Sequence, residues 1–163
     1  MELLPLHFLL SRLEEDVEFQ QKLTSTYLAG PPRYGPETAR TVMEALRRLS
    51  DNLRLISLVI SELEEVNERE LKEEALILSS ESLSLASVLL PAVERLSPFF
   101  LEGLRVDEKP LLEKMEEVLA EIESAVEKLE LSSTRELVET LERLAQTLEC
   151  SLKAGERLIN NPA

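Results

Sequence analysis

The chain has 163 residues, 44% hydrophobic and 31% charged, with 18 Lys plus Arg against 32 Asp plus Glu for a formal net charge of -14. That length suits one domain with a real core, and the apolar content is too high for a disordered chain. The acidity repels a phosphate backbone and argues against nucleic acid as a partner, while the single cysteine, Cys150, leaves no internal disulfide and no thiolate zinc cluster. A reducing, cytoplasmic compartment is the expectation.

Two apolar runs bear on membranes. Leu3 to Leu10 is apolar but follows Glu2, where a signal peptide would carry basic residues, so no export signal is read. Ala75 to Val93 spans nineteen residues with Glu81 as its only charge, close to a membrane-crossing length. Five serines and Pro91 dilute that run, and the expectation is a buried helix of a bundle with no membrane insertion.

Periodicity predicts five helices in chain order. The first starts near Pro5 and ends around Tyr27, with apolar positions Leu6, Leu9, Leu10, Leu13, Val17 and Leu23. The stretch AGPPRYGP, residues 29–36, stops it, because proline clashes with a preceding turn. A second helix runs from about Glu37 to Val66 on the seam Val42, Leu46, Leu49, Leu53, Ile56, Ile60 and Leu63, a heptad pattern. Away from that seam Glu37, Arg40, Glu44, Arg47, Asp51 and Arg54 alternate in sign, which reads as a solvated face. Apolar residues from Leu53 to Ile60 then occupy every side of the helix, marking a turn that is either sandwiched or a contact surface.

The third helix, about Glu68 to Leu90, has the widest apolar face, and serines at 79, 80, 82, 84 and 87 would let a neighbour come close, so it is expected at the centre. Pro91 should kink or stop it, and SPFFLEG, residues 97–103, reads as one short helical turn ended by Gly103. Asp107 is expected to cap a fourth helix with Pro110 in its first turn and the seam Leu111, Met115, Val118, Ile122, Ala125 and Leu129. Ser133 and Glu136 form a capping-box signature for a fifth, with Leu137, Leu141, Leu144, Leu148 and Leu152 as its seam, running to about Ile159. The reading is an all-α antiparallel bundle of about five helices over residues 1–163, with heptad-like seams and two hairpins flanking a central helix, and essentially no sheet. The pattern R-x3-E-x-L-x-R-L-x3-L fits both Arg40 to Leu53 and Arg135 to Leu148, a faint internal echo.

Catalytic chemistry finds little to stand on. A helical di-iron site needs two Glu-x-x-His pairs, yet His7 is the only histidine and Leu4 precedes it by three. A Ser-His-Asp or Cys-His hydrolase would have to recruit the same His7. The Glu-x-x-Glu and Glu-x-x-Asp pairing of helical nucleotide pyrophosphohydrolases lacks its second half, because Asp16, Asp51 and Asp107 follow Leu13, Arg48 and Leu104 at that spacing. Glu113, Glu117 and Glu121 line one helix face and read as solvated, and no phosphate-binding glycine loop is present. Neither a cofactor nor a metal ligand set is expected.

Pro31-Pro32-Arg33-Tyr34 resembles the PPxY ligand of WW domains, which implies a docking peptide carried by Pro31, Pro32 and Tyr34; a rigid connector between two helices explains the same residues and is preferred. The function expected is therefore a non-enzymatic interaction module, a subunit or adaptor that binds a protein partner or forms a homo-oligomer. Its expected contact residues are Leu55, Leu58, Val59, Phe99 and Phe100. The alternatives are a metal-dependent hydrolase or small-molecule binder using acidic helices, and an acidic mimic that captures a basic protein.

Overall fold

A computed structural model describes residues 3–29, 36–96, 103–128, 130 and 134–160. Within them the chain is an all-α bundle: α1 (Leu3–Ala29), α2 (Pro36–Glu62), a 3-10 turn (Leu63–Glu65), α3 (Arg69–Leu96), α4 (Leu111–Lys128) and α5 (Thr134–Asn160), with a two-stranded hairpin before α4. Pro31, Pro32, Tyr34, Phe99, Phe100, Leu129 and Ser133 lie outside the described residues, as does most of the SPFFLEG stretch.

The seams expected for α2, α4 and α5 are buried as far as they are described, and the apolar interior forms one cluster with contributions from all five helices. Burying such leucines is the main source of stability, at roughly 1.5–3 kcal/mol per side chain. The pairing is less local than two hairpins around one centre. α2 makes its most extensive contact with α5, α1 packs mainly on α3, and α4 meets α3 broadly but α5 only narrowly. Two helices, α2 and α3, thus share the middle. The α2–α5 contact is antiparallel, since Arg47 reaches Glu156 while Ser57 reaches Glu142. It also joins the two segments that carry the sequence echo.

Three local expectations are corrected. Pro91 does not end α3, which continues to Leu96; Leu89, Leu90, Ala92 and Val93 are buried on either side of it and hold the turn that lacks one backbone donor. Asp107 does not cap a helix. It occupies a tight turn with Glu108, φ 53° and 66°, between strands β1 (Arg105–Val106) and β2 (Lys109–Pro110). Left-handed backbone at both turn positions is what a two-residue hairpin needs to match the twist of its strands. Pro110 accordingly closes β2, and α4 begins one residue later at Leu111.

Asp107 anchors that hairpin to two helices. Arg143 of α5 donates to its Oδ2 at 2.9 Å and Lys114 of α4 lies 3.4 Å from the same oxygen. These cations hold the Asp107 carboxyl below the usual carboxylate range, the Arg143 hydrogen bond foremost. Lys109 pairs with Glu117 on the same end of α4.

Candidate functional site

The charged stripe of α2 is not simply solvated, for two of its six residues, Arg47 and Arg54, turn toward α5. Arg54 donates through Nε and Nη2 to the two oxygens of Glu149 at 2.7 and 2.8 Å, and Arg47 reaches Glu156 at 2.8 Å. Ser50 Oγ lies 2.9 Å from the same Glu149. The Arg54 hydrogen bond, helped by Ser50, draws the Glu149 carboxyl down from 4.5 to about 2. This side of α2 has its polar groups matched.

The other side does not. Between α1 and α2 lies a cleft of about 320 Å³ lined by Arg12, Asp16, Phe19, Gln20, Arg48, Asp51, Asn52, Arg54, Leu55 and Leu58. Helical spacing explains the α1 wall, because positions 12, 16, 19 and 20 fall on one face. Arg48 sits 4.0 Å above the Phe19 ring centre, a cation–π contact that also fixes the antiparallel register of the two helices. Among the described residues no salt bridge within 4.0 Å reaches Arg12, Asp16 or Asp51, although two arginines and two aspartates share the cleft besides the committed Arg54.

Its floor is polar and buried. Gln20 is 3% exposed and Asn52 1%, and Gln20 Nε2 and Oε1 have no hydrogen-bond partner, while the Asn52 amide is directed at Asp16. Asn52 Oδ1 does accept from Ser82 Oγ of α3 at 2.8 Å. Thr24 Oγ1 and Ser79 Oγ are unpaired as well, so the polar seam runs inward from the cleft across three helices. An unpaired buried amide or hydroxyl costs roughly 1–3 kcal/mol, so groups of this kind are ordinarily answered by water, an ion or a ligand. Burial also raises the Asp16 carboxyl despite the opposing charges of Arg12 and Arg48; Asp51 adds to the rise and the Asn52 amide opposes it weakly.

Of the expected contact residues, Leu58 is 53% exposed and Leu55 half-buried, and both line this cleft. Val59 is corrected: it is 0% exposed, because it shares the phase of Ala45 and Asn52 and faces the interior. Exposed Phe8 and Phe19 on α1 were not singled out in the sequence, and neither were Gln20 and Asn52. A second, shallower groove between α1 and α3 carries Glu14, Glu70, Glu73, Glu74 and Glu81 around Ile77 and Leu78. Among the described residues no group of three or more carboxylate, histidine or cysteine side chains converges as a metal site. α3 is the one described helix long and apolar enough to cross a membrane, and half of its apolar window is buried within the chain.

Comparison with known proteins reaches nearly the whole chain. A family model described as "Uncharacterized protein" matches residues 6–161. The chain belongs to that family. A relative from Aquifex aeolicus (strain VF5), described in the same words, is 63% identical over 159 residues and covers 98% of each chain. No solved structure matches.

Proposed function

We propose that this protein is a non-enzymatic helical interaction module, a cytoplasmic subunit or adaptor, and that the α1–α2 face is where it self-associates or meets another protein. The observation that carries the reading is Leu58, 53% exposed beside Leu55 and Phe19 at the lip of one cleft, on a helix whose neighbouring positions Ile56, Ser57, Val59 and Ile60 are buried. Large apolar side chains held at the rim of a polar cleft supply the apolar centre and polar surround that protein contacts use.

Light scattering across a concentration series tests it. The expected result is an assembly larger than one chain that Leu58→Glu returns to the monomer mass, with folding stability changed by less than about 0.5 kcal/mol because the site is on the surface. A strict monomer at every concentration, with no protein partner, overturns it. A second reading, docking of a basic protein, is favoured by the five glutamates around Ile77, none of which has a salt bridge among the described residues. Salt separates the two: it screens repulsion between copies that each carry -14 and so strengthens self-association, while it weakens capture of a cation.

A further inference from the structure

The cleft between α1 and α2 presents charges of both signs, none of which closes a salt bridge across the two helices among the described residues, although Arg12 and Arg48 both act on Asp16. Arg12 stands on α1 and Asp51 on α2, and neither has an opposite charge within 4.0 Å among the described residues. Arg48 is held over Phe19 and shared with Glu44 at 3.5 Å, and Asp16 is half-buried opposite it. Beneath them are two side chains more than nine-tenths buried: Gln20 has an unpaired donor and acceptor, while Asn52 accepts from Ser82 on one side and faces Asp16 on the other. Leu55, Leu58 and Phe19 complete the wall with apolar surface.

That lining discriminates between ligand classes. A phosphate-rich ligand would meet Asp16 and Asp51 among the arginines, a bare cation would meet Arg12 and Arg48, and an apolar ligand would bury charges unpaired. A molecule with one negative and one positive end on a short apolar frame meets none of these penalties. The volume of about 320 Å³ lies at the small end of ligand pockets, roughly 300–1,000 Å³. We propose that the α1–α2 cleft binds a small zwitterion of the α-amino-acid class, with its carboxylate on Arg12, its ammonium on Asp51, and its apolar side chain against Leu55, Leu58 and Phe19.

The Gln20 amide, with its donor and acceptor unpaired, is placed to fill hydrogen-bonding positions that the charged side chains leave open on the ligand's carboxylate and ammonium. Bridging Arg12 on one helix and Asp51 on the other, the ligand ties α1 to α2. One chain suffices for this, so ligand binding goes beyond the interaction reading and does not depend on any assembly of chains.

Titration calorimetry on the purified full chain tests the assignment, with L-leucine, L-methionine and L-phenylalanine as probes and N-acetyl-L-leucine and L-leucinamide as versions lacking one charge. Saturable binding of at least one free amino acid is expected, with either capped leucine weaker than leucine by about tenfold, the loss of one charged hydrogen-bonding end. Arg12→Gln and Asp51→Asn, both at exposed positions that leave the core intact, should each weaken binding by a similar factor while circular dichroism stays unchanged. No saturable binding of any of the three amino acids, equal binding of the capped forms, or binding indifferent to both substitutions overturns the proposal. Because Leu55, Leu58 and Phe19 serve both readings, the light-scattering mass without ligand tests the interaction module alone, and calorimetry at a concentration where the chain is monomeric tests the ligand site alone.

Discussion

The two sides of α2 make opposite use of polar side chains. Toward α5, Arg54, Ser50 and Glu149 close a set of short hydrogen bonds, and Arg47 pairs with Glu156 across 109 positions of the chain. Toward α1, Asp16, Asp51, Gln20 and Asn52 are brought together, and both ends of the Gln20 amide are unpaired. Satisfied polar groups at an interface select one register and add modestly to stability, whereas unsatisfied ones cost stability and persist where something else answers them. One face of α2 is closed by matched polar pairs, and the other borders an open cleft.

The strongest way to break this comparison is to weaken the closed side at its core. Leu49 is fully buried on the α2 seam, and Leu49→Ala should cost about 2–5 kcal/mol in denaturant unfolding by leaving a cavity. A loss under about 1 kcal/mol would mean that α2 is not packed as described. A paired experiment comes next in size and should give opposite signs. Gln20→Met keeps the volume and removes the unpaired amide, and should stabilise the fold by about 1 kcal/mol, while Glu149→Ala strips Arg54 and Ser50 of their acceptor and should destabilise it by about 1 kcal/mol, limited by solvent at that half-open site. Equal signs would erase the distinction between the two faces.

Smallest and most specific is the pH dependence. Glu149 is depressed on folding from 4.5 to about 2, so its contribution is fully present above pH 4.5 and is lost as pH falls toward 2. Asp16 is raised on folding, so its ionisation costs stability above its folded pKa and acid relieves that cost. Acid titration of stability should therefore show a smaller drop between pH 4.5 and 2 in Glu149→Gln, the remainder being carried by the depressed Asp107 and Glu117, and an undiminished drop in Asp16→Asn. The reverse assignment would place the acid-sensitive pairing on the cleft side.

Much of the bundle was legible because heptad spacing survives burial. Val42 through Leu63, Leu111 through Ala125 and Leu137 through Leu152 read as seams and are seams. The first helix shows where the reading stopped short. Its buried face runs Leu6, Leu10, Leu13, Val17, Gln20, Thr24 at steps of 4, 3, 4, 3 and 4, and the last two positions are polar. A search for apolar periodicity passes over Gln20 and Thr24, although their phase alone places them inside. Asn52 hides in the same way, in register with Ala45 and Val59, and Ser79 and Ser82 occupy the matching phase of α3.

Other features had weaker local signals. The β1–β2 hairpin turns on Asp107-Glu108 without the glycine that usually marks such turns, and its strands are two residues each. The pairing of the α2 arginines with α5 is a long-range fact. Alternating charges along one helix look the same whether they face water or a distant glutamate, so only the folded arrangement separates Arg47 and Arg54 from an ordinary solvated stripe.

The distance along the chain between α2 and its chief neighbour has a consequence for synthesis. Polar contacts between the two join residues 85 to 109 positions apart, so the ribosome completes α2, α3 and α4 before α5 is made. Until then a nascent chain carries the Leu49 face of α2 without its cover, and chaperone capture or transient pairing with another nascent copy competes for that surface.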